Sequence, residues 1–114
     1  MYKYLVTIIV FSLAACTSDP SLPQYKILDK LTEIDGTKYC EILIESYSRE
    51  TPKEEIEATL EKLIQKLNVD KIALYCSEEA KLADFSESYR NTHPEAVKCI
   101  LGLYQDHGLV APAY

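Results

Sequence analysis

The chain has no tryptophan, only three glycines and one methionine, and 12 lysines and arginines against 18 aspartates and glutamates. Each shortage excludes something. Three scattered glycines cannot build a phosphate-cradling loop. A formal charge of −6 leaves no basic patch to neutralise nucleic-acid phosphates. No apolar run approaches the roughly 20 residues needed to span a bilayer. No C-x₂-C or H-x₃-H pair preorganises metal ligands, and no G-x-S-x-G elbow presents a nucleophile. At 114 residues there is room for one domain. What the chain does have is four cysteines and nine tyrosines.

The N-terminal segment explains one cysteine. Met1-Tyr2-Lys3 carries a positive charge and precedes an apolar run from Tyr4 to Leu13. That run, roughly ten residues long, is too short to span a membrane and matches the h-region of a secretory signal. It ends in Leu13-Ala14-Ala15-Cys16, which resembles the lipobox of bacterial lipoproteins. The resemblance implies removal of residues 1–15 as a signal peptide and a diacylglycerol on the Cys16 thiol, with palmitate-type acylation of the new amino group. Such acyl chains would hold the protein firmly to a membrane. Thr17 follows the cysteine, and no aspartate stands where, in enterobacteria, it favours inner-membrane retention. The outer membrane is therefore the expected address in a Gram-negative host, on its periplasmic or surface side. Processing leaves 11 basic and 18 acidic side chains, a balance of −7.

Residues 16–24 read as the lipidated cysteine and a tether, with Pro20, Pro23 and small polar residues that have little apolar surface to bury. Residues 25–114 form the domain. Tyr25–Ile34 and Lys38–Tyr47 are expected strands joined at Asp35-Gly36, a tight-turn dipeptide. Cys40, Ile42 and Ile44 should face the core, and Tyr39, Glu41, Leu43 and Glu45 water or the sheet edge. Thr51-Pro52-Lys53-Glu54 has capping-box spacing, and Ile56, Leu60, Leu63, Ile64 and Leu67 make the apolar stripe of a helix. Lys71–Cys76 reads as a strand reached by a right-handed crossover. Ser77-Glu78-Glu79 starts a helix that would bury Leu82, Phe85 and Tyr89. Thr92-His93-Pro94-Glu95 repeats the capping spacing, and Val97, Ile100, Leu101 and Tyr104 make a further helical stripe. In the competing reading, Lys98–Tyr104 is a fourth strand. The fold class is α+β, a two-layer domain in ββαβ order with helices on one face of a small sheet.

Three cysteines remain for an oxidising compartment. On parallel neighbouring strands, Cys40 and Cys76 would sit about 13 Å apart along the sheet, beyond disulfide reach. Cys76–Cys99 is the expected bond, against another pairing or three buried free thiols. Cys76, Cys99, His93 and His107 lack metal-ligand spacing, so neither a metal nor any cofactor other than the covalent lipid is expected. The pairs Glu54/Glu55 and Glu78/Glu79 sit in first helical turns, where they favour the dipole and make poor general acids. Tyr39, Leu43, Tyr47 and Tyr75 form a candidate binding face opposite the helix. The functional expectation is an anchored envelope protein that binds, excludes or modulates another surface protein and is not an enzyme. The alternatives are a thiol-redox or thiol-dependent periplasmic enzyme using Cys76 and Cys99, and a purely structural lipoprotein.

Overall fold

The computed structural model describes residues 22–114; the signal segment and Cys16 lie outside the described residues. Strand β1 (Lys26–Thr32) turns into β2 (Lys38–Leu43). The turn falls where the dipeptide predicts but is a wider loop, closed by the Glu33 N–H on the Thr37 carbonyl at 2.7 Å, in which only the glycine of the pair has a positive φ. Gly36 adopts φ 91°, its N–H donates to the Glu33 carbonyl at 2.9 Å, and Asp35 Oδ1 accepts the Thr37 N–H at 2.9 Å. Helix α1 (Lys53–Leu67) then carries the chain to β3 (Lys71–Tyr75), which pairs parallel to β2. Asn68 ends α1 in the left-handed conformation with its N–H on the Ile64 carbonyl, the αL termination that asparagine tolerates.

Three short helices follow: α2 (Glu78–Phe85), α3 (Glu87–Thr92) and α4 (Pro94–Val97). The chain closes with β4 (Ile100–Gln105) and β5 (Gly108–Val110). The result is an α+β domain built on a five-stranded mixed sheet in the order β1-β2-β3-β4-β5, with only the β2/β3 pair parallel.

The core is divided by the sheet. On one face Cys40, Ile42, Ile44, Ile72, Leu74, Leu101 and Tyr104 pack against Ile56, Leu60 and Leu63 of α1. On the other, Ala73, Tyr75 and Ile100 pack against Ala80 and Ala83 of α2 and Ala96 of α4. Helices thus cover both faces, where the sequence reading expected one. The reason lies in β3. Its Ile72, Ala73, Leu74 and Tyr75 are all buried, the pattern of a strand covered on both sides rather than one with a wet face.

Other expectations change for related reasons. Lys98–Tyr104 belongs mostly to β4, so the strand alternative is what the structure shows. Its apolar residues serve both core faces, which mimicked a helical stripe. Gly102 is required there: its φ is 141°, and a Cβ would come within 2.5 Å of the Val110 carbonyl oxygen. Leu82 and Phe85 were expected inside and are 54% and 66% exposed, because the fully buried Tyr75 ring leaves space only for the alanines of α2. Thr51 does not cap α1. Pro52 occupies the N-cap position, and Thr51 Oγ1 accepts the Ser48 N–H at 3.0 Å instead. Ser77 does cap α2, accepting the Ala80 N–H at 3.2 Å.

Candidate functional site

Two of the three domain cysteines are joined: Cys76 and Cys99 form a disulfide with Cα atoms 4.7 Å apart. It bonds the residue after β3 to the residue before β4, beside a backbone bond from Cys76 N–H to the Cys99 carbonyl. Cys40 is free and buried, and burial raises its thiol pKa, away from the thiolate that reactivity needs. Its partner in the parallel register is Ile72, so Cys76 lies four residues further along the sheet. Arg49 braces the same end of the domain. One guanidinium nitrogen, Nη2, donates to the backbone oxygens of Val97 (2.9 Å), Ile100 (3.1 Å) and Tyr114 (2.9 Å).

The tyrosine face proposed from alternation is not open. Tyr75 is buried beneath the short helices, Leu43 is buried, Tyr39 is half-buried, and Tyr47 has crossed to the other face. The strand stops at Leu43, so the alternation that assigned Tyr47 ends before reaching it. The Tyr47 hydroxyl instead shares a 2.6 Å hydrogen bond with Thr59 on α1.

Beneath α2 the covered face holds a polar network. Tyr75 donates to Asp84 Oδ2 at 2.7 Å, and Tyr39 donates to Glu41 Oε2 at 2.9 Å. Burial, reinforced by these carboxylate partners, raises both phenol pKa values far above the ordinary range. Glu41 is only 3% exposed. Its other oxygen lies 2.7 Å from Lys81 Nζ, which also reaches Asp29 at 3.8 Å. The ammonium approaches Oε1 off the hydrogen-bonding direction, so charge rather than an aligned donor compensates that oxygen. The contact with Glu41 raises the Lys81 pKa. Asp84 also accepts the Tyr114 hydroxyl, and the Arg90 guanidinium stacks 4.3 Å over the Tyr114 ring.

The histidines are apart from the thiols. His93 stacks on Tyr89 with centroids 3.7 Å apart. His107 Nδ1 lies 3.0 Å from Glu61 Oε1, and the Tyr104 hydroxyl on that carboxylate, followed by His107, lowers the Glu61 pKa. Among the described residues no group of three metal-ligating side chains gathers, and no helix is long and apolar enough to cross a membrane.

Both lateral edges of the sheet are guarded. In β1 the Lys30 N–H is taken by Asp29 Oδ1 at 2.8 Å, and the register slips between Ile27 and Asp29. In β5 the Leu109 N–H is taken by Glu57 Oε2 from α1 at 2.8 Å. Bulges and side-chain plugs of this kind discourage strand addition. The apolar surface that does face water lies elsewhere. Lys26 pairs with Glu78 at 3.1 Å, and Lys81 with Asp29 at 3.8 Å, so α2 runs alongside β1. Phe85 lies one helical turn beyond Lys81, and Leu31 of β1 is 43% exposed. Leu82 and Phe85 were assigned to the core by the sequence reading and instead lie in solvent, as does Leu31 of β1. The signal for α2 was present: Ala80 and Ala83 already supplied an inward stripe.

Comparison of the chain with protein-family models, curated proteins and solved structures gave no match.

Proposed function

We propose that this is a lipid-anchored protein of the bacterial cell envelope, attached through Cys16, whose domain binds another envelope protein and is not an enzyme. The lipobox-like Leu13-Ala14-Ala15-Cys16 supports the anchor, with the outer membrane as its address. One observation carries the binding role: α2 turns its alanines inward and its two largest apolar side chains, Leu82 and Phe85, into solvent. Contiguous exposed apolar groups on a small soluble domain mark interaction surfaces. Anchoring raises the effective concentration of partners in the same membrane, so a small apolar strip suffices without a large interface. The task that fits is exclusion or modulation of a surface component.

The test places a photo-crosslinking amino acid at Phe85, or at Leu31, in the full chain within intact cells. A discrete adduct with one envelope protein is expected, absent when the probe stands at Gln65 on the opposite helix. Adducts of equal yield from Phe85 and Gln65, or none above background, would overturn the binding role. The thiol-enzyme reading makes a different demand, a thiol of depressed pKa at Cys76 or Cys99 after mild reduction. An alkylation rate equal to that of free cysteine would count against it.

A further inference from the structure

On the α1 face, away from Leu82 and Phe85, a cleft of about 390 Å³ opens between the first turn of α1 and the segment after β5. Ile56 and Leu101, both buried, lie at its base, and Leu109 and Pro112 line it further. Arg49 and Lys53 supply its charge, and no carboxylate is among its lining residues. That is notable in a chain where acids outnumber bases 18 to 12. Lys53 has Glu57 only at 3.9 Å, and Glu57 is engaged by the Leu109 N–H. Arg49 is held by the backbone oxygens of Val97, Ile100 and Tyr114, which fix the guanidinium in position.

The place of the cleft matters as much as its lining. A neighbouring cleft is lined by Leu22 and Pro23, and the two share Thr51. The chain from Cys16 therefore enters the domain beside this site. Cys16 stands six residues before Leu22, a span of at most about 20 Å when extended. A membrane holding Cys16 would lie within that reach of Leu22.

We infer that the cleft binds a free fatty acid from the membrane surface, with its acyl chain on Ile56, Leu101, Leu109 and Pro112 and its carboxylate between Arg49 and Lys53. The proximity argument rests on the anchored reading above. The volume is near the lower end for small-ligand pockets, which favours one acyl chain over the two of a phospholipid. A peptide is the poorer occupant, because strand addition would need the Leu109 N–H that Glu57 already takes.

The experiment uses the processed full chain in phosphatidylcholine vesicles, with a diazirine-bearing dodecanoate as probe. Label is expected on the peptides holding Ile56, Leu101 and Leu109, displaced by dodecanoate and not by its methyl ester. Lys53→Gln should reduce labelling about fivefold, the factor of a partly exposed charge pair. Leu109→Trp should occlude the cleft and suppress labelling, with an unchanged melting curve confirming that it folds. Label spread evenly over the surface, displacement by the ester, or full labelling of a folded Leu109→Trp chain would each overturn the proposal. Flotation with the vesicles, scored before the probe is added, reports the anchor separately. A chain that fails to float but is labelled at these peptides in buffer refutes the anchor and supports the cleft.

Discussion

The Cys76–Cys99 bond closes a loop of sequence separation 23 that contains all of α2, α3 and α4. Those helices form the layer that covers Tyr75 and the Tyr39–Glu41 network. On the chain-entropy account, a loop of this length restrains the unfolded chain by about 3 kcal/mol. A domain of this size has a total stability on the order of 5–14 kcal/mol, so the bond is a large share of it. Replacing both cysteines, Cys76→Ala with Cys99→Ala, should lower the melting temperature by roughly 12–24 °C. Urea unfolding of the parent chain, with and without reductant, supplies the comparison. The reduced parent and the double variant should agree to within about 0.5 kcal/mol. Thiol titration in urea should find one thiol before reduction, Cys40, and three after it, because a lipidated Cys16 carries no free thiol. A stability loss below about 1 kcal/mol would refute the claim that this bond holds the second helical layer. Two thiols before reduction would refute the lipidated Cys16.

Further outcomes follow from single contacts. Lys81→Met should cost about 2 kcal/mol, less than for a fully buried pair because Lys81 is one-third exposed, and Glu41→Leu in the same chain should recover much of it; a double-mutant urea cycle measures the coupling. Gly102→Ala should destabilise by more than the ordinary cost of a strand substitution, because its Cβ meets the Val110 carbonyl and its φ is 141°; thermal melting checks this. The raised pKa values of Tyr75 and Tyr39 make stability complete below pH 10, the unfolded phenol value, and decreasing above it, by up to about 1.4 kcal/mol per pH unit for each phenol. Tyr75→Phe should cost about 1 kcal/mol at pH 8 and flatten that alkaline decline, read from urea midpoints at pH 8 and 11. Phe85→Asp should leave stability within about 0.5 kcal/mol of the parent and remove the envelope crosslink from Leu31.

How much of this was legible in the sequence depended on whether one periodicity acted alone. Helix α1 was plain because Ile56, Leu60 and Leu63 face a single sheet surface and the opposite side is charged. The β1–β2 turn was plain because Asp35-Gly36 has few other uses. The β4 segment was ambiguous because Ile100 and Leu103 serve one core face while Leu101 and Tyr104 serve the other, and a register irregularity near Leu74 disturbs strict alternation. Helix α2 misled for a different reason. Large apolar residues outweigh alanine in a hydrophobic pattern, yet Tyr75 fills the layer and only alanine fits above it. Glu41 carried no local mark of burial, since its partner Lys81 is forty residues away and becomes a neighbour only once α2 covers the sheet. The strand register separates Cys40 from Cys76 and so removed one of the three possible pairings, which made Cys76–Cys99 the favoured bond without excluding Cys40–Cys99.

Everything proposed about place and partner depends on Cys16. The most direct measurement is the intact mass of the chain extracted from membranes, followed by fragmentation of its N-terminus. The account predicts a chain that begins at Cys16, carries a diacylglyceryl group on that thiol, and is two hydrogens lighter for the Cys76–Cys99 bond. A chain that begins at Met1, or an unmodified thiol at Cys16, would contradict it.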